Sequence, residues 1–540
     1  MDEANTRNSW QVALNEKWAT YKEMAYDKDL PGGARDWFYD REIMPLLKDK
    51  FRESERAKVN KVYDALIVSV GTSYAPLVLS YTAIGPAMVY FVHTQETGAH
   101  VDKVVDHLSL KPSQYQRHVV DRADMNQIYE TVSGIYRELA GSGADRRSPS
   151  VAADFTGGTK AMAGALSLVA AMIGADLFYI GSEWDGAASK PVPGSEFLDR
   201  LENPLAAFGE IDRVQASRLW QQGEYTAAAD LLEGVNARVP ERQQWVVLAR
   251  LARAYEAWSV LQLRAAAEHL RFVLSTGVDT LRRMRVQGWS EAESDILRRQ
   301  REVAETLAPH VGGSVIDLSV LQDKKMMGHL IFLLHAIGMR YAAQQKWGLA
   351  ALHMYRTVEM TLQHRMALYG VRTDEPDYQA FMLNIPVSAQ GESKEEKSPG
   401  ETTAEPTDAA AKYPSEEWLC AMVNKRLSEW KVKSAWESLP RQLALADTHA
   451  LLCVARDPLV TKTQASANGE SVFFVPSGKT VRDSLQARNY HYLIHGYLAV
   501  GKDEFTKMQK LADEFVNRLR ELYGVPEDQT KVYTPITPII

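Results

Sequence analysis

Cysteine is nearly absent. Cys420 and Cys453 are the only two in 540 residues. That excludes a disulfide framework and a four-cysteine zinc site within one chain, and it makes a reducing cytoplasm the expected compartment. Positive charge is not in excess either. The 62 lysines and arginines face 69 aspartates and glutamates, for a net charge of −7. The chain therefore lacks the broad basic field of a protein that coats DNA or RNA along its whole surface, although a local site for a short single strand stays open. Long apolar runs are missing too. The longest, AMAGALSLVAAMIGA (161–175), is too short to span a bilayer and is rich in small residues, so it reads as a buried helix and no membrane partner is expected. The opening MDEANTRNSW is polar and carries Asp2 and Glu3, unlike a signal peptide. What remains, 45% hydrophobic and 24% charged, is an ordinary globular balance with room for two to four domains.

Residues 1–60 read as an amphipathic helical extension with a turn at Pro31-Gly32-Gly33. The rhythm then changes. DALIVSVG (64–71), AMVYFVHT (87–94), YQRHVV (115–120), SVAADFT (150–156) and ADLFYIG (175–181) are compact β-branched or apolar runs, separated by helical patterns such as MNQIYETVSGIYRELAG (125–141). Alternation of this kind predicts a doubly wound α/β domain over 61–205. From about 205 the pattern is helical almost throughout. Residues 206–325 form a helical linker domain whose Ala-rich segments echo one another without a regular period. Residues 326–540 form a C-terminal helical domain. It is interrupted by 386–413, PVSAQGESKEEKSPGETTAEPTDAAAKY, which lacks large apolar residues and is expected to be a disordered insertion.

Two short stretches fall where an open α/β sheet binds ligands, beyond the carboxyl ends of strands and near helix N-termini. They are VGTSYAP (70–76) and DFTGGTKAM (154–162). Gly157 and Gly158 let backbone approach a ligand, their N–H groups and the hydroxyls of Thr156 and Thr159 suit an anion, and Lys160 adds positive charge. The run is not a P-loop, which requires glycine five residues before Gly158, where Ala153 stands. Local chemistry leaves a second possibility open, a tight strand–helix turn with a polar cap.

A third stretch, RNYHYLIHG (488–496), lies in VRDSLQARNYHYLIHGYLA (481–499), which reads as a helix. Arg488, His491 and His495 then share one face over two turns. Three chemistries fit. The i, i+4 histidines suit a metal, yet Tyr492 stands where a metalloprotease has glutamate, and no third ligand is evident. The same residues suit a wet helix–helix interface. They also suit phosphodiester cleavage: histidine moves the proton, arginine holds the phosphorane charge, and the RNA 2′-hydroxyl serves as internal nucleophile. That last chemistry needs no metal and leaves DNA inert. For a DNA nuclease, the only near match to a D…E-x-K pattern is SKEEK, inside the low-complexity stretch.

The strand ending in VGTS, paired with DFTGGTKAM, resembles the CARF domain, the Rossmann-like sensor of type III CRISPR accessory proteins, over about residues 62–185. R-N-x5-H resembles the R-x4–6-H signature of HEPN ribonucleases. Their order along the chain is that of the CARF–HEPN ribonucleases. The resemblance implies an N-terminal CARF domain, a helical linker and a C-terminal HEPN domain. It implies an endoribonuclease switched on by cyclic tetra- or hexa-adenylate, acting on single-stranded RNA as a homodimer, with no metal or other cofactor. By position it assigns Gly71, Thr72, Ser73, Asp154, Thr156, Gly157, Gly158, Thr159 and Lys160 to the ligand, Asp154 either through a ribose or as a cap of the turn. It assigns Arg488, Asn489 and His495 to catalysis. ALHMYRTVEMTLQHRMALYG (351–370) becomes an earlier HEPN helix, with Glu359 or Arg356 toward the site. A non-catalytic regulator that senses the same ligand and acts through a protein partner is the alternative, and degradation of the ligand by the sensor itself is open.

Overall fold

The computed structural model describes residues 3–26, 32–142, 148–207, 209–238, 243–283, 290–312, 316–386, 414–432, 435–466, 469–476, 480–481, 484 and 500–537. Two compact units divide the chain, 1–211 and 212–540. The first is built on a mainly parallel sheet and the second is mostly helical.

The N-terminal unit begins with helices α1 (Glu3–Tyr26) and α2 (Met44–Lys50). The sheet follows: β1 (Ala65–Ser69), α3 (Ala75–Ile84), β2 (Met88–His93), α4 (Gly98–Leu108), β3 (Tyr115–Val119), α5 (Met125–Ser142), β4 (Val151–Asp154), α6 (Lys160–Ile173), β5 (Asp176–Gly181) and β6 (Phe197–Leu201). Spatial order is β3-β2-β1-β4-β5-β6, parallel except for the last pair. Every residue of β1 is buried, because both sheet faces are covered. Leu66 and Val68 point into one core with α3 and α4. Ala65 and Ile67 point into the other with α5 and α6.

The first sixty residues are not a separate appendage. Leu14, Trp18, Tyr39, Leu47 and Phe51 join the same core as Leu66 and Val68. Lys50 is buried and donates Nζ hydrogen bonds to the carbonyls of Gly194 (2.5 Å) and Glu196 (2.6 Å), tying this segment to the connection between β5 and β6. That connection and the edge strand β6 were not read from the sequence.

In the second unit, α7 (Glu210–Gln221), α8 (Tyr225–Arg238), α9 (Gln243–Ser259), α10 (Leu263–Phe272) and α11 (Glu291–Leu307) share one hydrophobic core with the helices that follow. Those are α12 (Lys324–Ala343), α13 (Trp347–Ala367), α14 (Glu416–Glu429), α15 (Leu445–Val454) and α16 (Lys502–Tyr523). The C-terminal end lies back across α7–α11. Trp220 Nε1 donates to the Ile536 carbonyl (2.9 Å), Gln300 Nε2 to that of Thr534 (2.9 Å), and Ile536 N–H to the Tyr255 hydroxyl (3.0 Å). The expectation of helix almost throughout needs one correction. An antiparallel hairpin, β7 (Thr461–Ser466) with β8 (Gly469–Phe474), stands between α15 and α16. Residues 387–413, expected to be disordered, lie outside the described residues.

Candidate functional site

The order of strands fixes where a ligand can enter the first unit. Strand β1 pairs with β2 on one side and β4 on the other, in parallel register from Ala65↔Val151 to Val68↔Asp154. The chain leaves β1 toward α3 on one face and leaves β4 toward α6 on the opposite face. The two loops diverge there, as at the switch point of any open α/β sheet. They are VGTSY (70–74) and FTGGT (155–159), the stretches singled out by sequence.

Before diverging, the loops touch backbone to backbone. The Ser69 hydroxyl donates to the Gly157 carbonyl at 2.6 Å. A Cβ on Gly157 would lie 2.4 Å from the Ser69 carbonyl oxygen, and one on Gly71 would lie 2.6 Å from the Gly158 nitrogen. Gly158 also has φ +84°, in the left-handed region. Steric need at the seam thus accounts for all three glycines. Ser69, which sequence reasoning passed over, is the side chain that closes it. Its signal was a lone hydroxyl at the end of an otherwise apolar strand.

Beyond the seam, Gly71 is half-buried, while Thr72, Ser73, Gly158 and Lys160 are exposed. Helix α3 has no side-chain cap, so the first N–H groups behind Thr72 and Ser73 are not taken by one. Lys160 opens α6, and the partial positive charge of that N-terminus adds to its ammonium. Thr156 and Thr159 are already engaged. Thr156 Oγ1 accepts from Ile180 N–H at 2.8 Å. Thr159 Oγ1 donates to the Arg122 carbonyl at 2.7 Å and accepts from Met162 N–H at 3.3 Å as the N-cap of α6. Asp154 needs correction as a ligand contact. Its side chain is wholly buried, and Oδ1 accepts from Thr156 N–H at 2.7 Å, so it holds the turn from beneath. Burial pushes its pKa up, against Ser80 and Thr156, which pull the other way. The remaining arrangement is a shallow cradle of main-chain N–H groups, small hydroxyls and one lysine. Such a set recognises an anion without enclosing it.

In the second unit, Arg488, Asn489 and His495, with His491, lie outside the described residues. Arg356 is ion-paired with Glu359 one turn along α13, partly exposed, and the Tyr355 hydroxyl reaches the same carboxylate at 3.5 Å. Farther along α13, His364 and Arg365 are buried polar residues, and Tyr369, just past the helix end, shares the Asp457 carboxylate with Arg365. Burial pushes His364 down to about 4, so it is a neutral imidazole. Among the described residues there is no cluster of three or more His, Cys, Asp or Glu side chains fit to hold a metal ion. No described helix is long and apolar enough to cross a membrane.

Comparison with known proteins bears on both halves of the helical unit. The family described as the Csm6 6H domain matches residues 208–303, and that described as the Csm6 HEPN domain matches residues 319–403. The CRISPR system endoribonuclease Csm6 of Thermus thermophilus is 26% identical over 372 residues, covering 67% of this chain and 75% of its own. Among solved structures, Enterococcus italicus Csm6 bound to cyclic hexa-2′-fluoro-hexa-dAMP aligns over 87% of this chain and 97% of its own, at 11% identity and TM-score 0.43. Can2 from Sulfobacillus thermosulfidooxidans in complex with cyclic tetra-adenylate aligns over 41% and 70%, at 16% identity and TM-score 0.20.

Proposed function

We propose that this chain, similar to a Csm6 endoribonuclease over 67% of its length, is a single-strand endoribonuclease of type III CRISPR defence, switched on by a cyclic oligoadenylate. One coincidence carries the reading. The helical unit that matches the Csm6 HEPN family over 319–403 is also the unit in which R-N-x5-H occurs, at 488–495. The T. thermophilus relative, named for endoribonuclease activity, supports it.

In this reading Arg488 stabilises the charge that builds on the phosphorane. His495 moves the proton at the 2′-hydroxyl or the leaving 5′-oxygen, and Asn489 orients one of them. The attacking oxygen belongs to the substrate, so the products carry 2′,3′-cyclic phosphates, DNA is not cut, and a metal is not required. Two copies form the working enzyme. Each brings one arginine and one histidine to a shared pocket, and the activator bridges the paired crevices at β1 and β4. Gly71, Thr72, Ser73, Thr156, Gly157, Gly158, Thr159 and Lys160 line each half of the sensor, mainly through main-chain N–H groups and the Lys160 ammonium. Ligand at the sensor changes the balance between two arrangements of the nuclease pair.

The test is cleavage of labelled single-stranded RNA in EDTA, with and without each cyclic oligoadenylate. One ring size should raise the rate, a DNA strand of the same sequence should stay intact, and His495→Ala should lower the rate about a hundredfold or more. Equal cutting by wild type and His495→Ala at every activator concentration would replace this reading with that of a non-catalytic regulator.

A further inference from the structure

The core of the helical unit contains a charged cluster that the proposed chemistry does not use. Asp457 is wholly buried, and Arg365 and Arg518 are nearly so. Arg365, on α13, grips Asp457 with two nitrogens: Nε lies 3.1 and 3.2 Å from its oxygens, and an Nη lies 2.7 Å from Oδ2. The Tyr369 hydroxyl donates to the same Oδ2 at 3.0 Å. Oδ1 in turn accepts from Leu459 N–H at 2.8 Å, and the Asp457 carbonyl accepts from Val460 N–H (3.0 Å), Thr461 N–H (3.1 Å) and the Thr461 hydroxyl (2.8 Å). Residues 457–461 are therefore a rigid knot.

Arg518, on α16, closes the knot from the other side. Its guanidinium donates to the carbonyls of Pro458 (2.5 Å), Leu459 and Thr461 (2.7 Å). The geometry makes sense only along the chain. Strand β7 begins at Thr461, and α16 begins at Lys502. One side chain of α16 thus holds the start of β7. Two further ties involve residues between β7 and α16: Val475 N–H donates to the Val460 carbonyl (2.9 Å), and the Ser484 hydroxyl donates to the Lys507 carbonyl of α16 (3.4 Å). The R-N-x5-H run, 488–495, lies between Ser484 and Lys502.

A buried ion pair is a poor source of stability, because desolvation offsets most of its attraction. Apolar groups of similar volume often do as well. What it supplies is fixed geometry: a bidentate guanidinium–carboxylate pair has one orientation. We propose that Asp457, with Arg365, Tyr369 and Arg518, is a positioning clamp for RNA cleavage: it holds residues 457–461 to α13 and α16, and Arg488 and His495 fall in the sequence between 461 and α16. None of the four touches the reacting atoms in this assignment, and the assignment rests on the ribonuclease reading above.

The test separates positioning from folding. In full-length protein with saturating activator, Arg365→Met with Asp457→Leu replaces the pair by apolar groups of similar size. The expected result is a thermal midpoint close to wild type, an unchanged KM for RNA, and a kcat lower by about tenfold or more, since small displacements of catalytic groups are costly. Tyr369→Phe and Arg518→Lys are the second arm, should the double variant fail to fold. Each keeps the packing, and each should lower kcat with KM and thermal midpoint held. Wild-type kcat in the folded double variant, or in both of these, overturns the clamp while leaving the ribonuclease reading intact. Absence of RNA cutting by wild type with every cyclic oligoadenylate overturns that reading and the clamp with it.

Discussion

The two units fix their local geometry by opposite means. In the sheet unit the ligand crevice is set by backbone: three glycines bring one loop against another, and a single serine hydroxyl closes the seam. In the helical unit the turn at 457–461 is held by side chains: Arg365 and Tyr369 bond the Asp457 carboxylate, and Arg518 bonds the carbonyls that follow it. A backbone device tolerates no added atom. A side-chain device tolerates replacement by groups of equal volume, but loses direction when its polar atoms are removed. Substitution therefore discriminates between the two.

The largest effect is expected at Gly157. Its missing Cβ would meet two main-chain groups, the Ser69 carbonyl oxygen at 2.4 Å and Gly71 N at 3.0 Å. Main chain cannot swing aside, so Gly157→Ala should cost about 3 kcal/mol by overpacking and abolish the response to activator. The control is Gly134, in the middle of α5 with nothing within 4 Å of its added Cβ. Gly134→Ala should gain up to about 1 kcal/mol from helix propensity. Denaturant unfolding of both variants checks the contrast. Equal effects would remove the case for a backbone-built seam.

Next in size is a pH effect in the helical unit. His449 is fully buried, and burial pushes its pKa down to about 3. Below the unfolded value of about 6.5, the unfolded chain takes up a proton that the folded chain refuses. Stability is therefore complete above that value and is lost as pH falls toward 3, by about 2 kcal/mol at pH 5 from this residue alone. His364, lowered to about 4, contributes in the same direction. His449→Leu should flatten part of the slope between pH 7 and 5 in thermal melts. An unchanged slope would mean that the core does not carry a neutral imidazole there.

These contrasts explain what was legible beforehand. The sheet strands and α5 could be read because their periodicity is local, and the crevice because glycine, threonine and lysine cluster within a few residues. The clamp could not be read: Arg365 and Asp457 are 92 residues apart, and an arginine on an amphipathic helix looks like a solvated one until its partner is located. The hairpin β7–β8 offered only the Asn468-Gly469 pair, a turn signal within a run taken as helical. The N-terminal sixty residues showed helical pattern but no indication that Lys50 would be buried on two carbonyls.

Lys160 sharpens the comparison from the ligand side. Its side chain is exposed at the start of α6, so it contributes little to folding. Lys160→Ala should leave the melting curve and activator-free cleavage in place and weaken activator binding about tenfold, the size of one hydrogen bond to a charged group. Because the site is open, the loss should shrink as salt is raised. Titration of cyclic oligoadenylate at two ionic strengths reads both effects, and identical activation curves for mutant and wild type would take Lys160 out of the cradle.

Thr159 gives the smallest effect and the finest distinction. Its hydroxyl already donates to Arg122 and accepts from Met162 N–H, leaving one lone pair and no proton for a ligand. If the cradle is main chain, Thr159→Ala removes an N-cap and costs about 1 kcal/mol of stability, while activator affinity changes by less than about threefold, a few tenths of a kcal/mol. Thr159→Ser keeps the cap and should restore stability. An affinity loss matching that of Lys160→Ala, with stability unchanged, would instead make the hydroxyl a direct ligand contact. The crevice would then be built of side chains after all, and the contrast between the two units would narrow to the glycine seam alone.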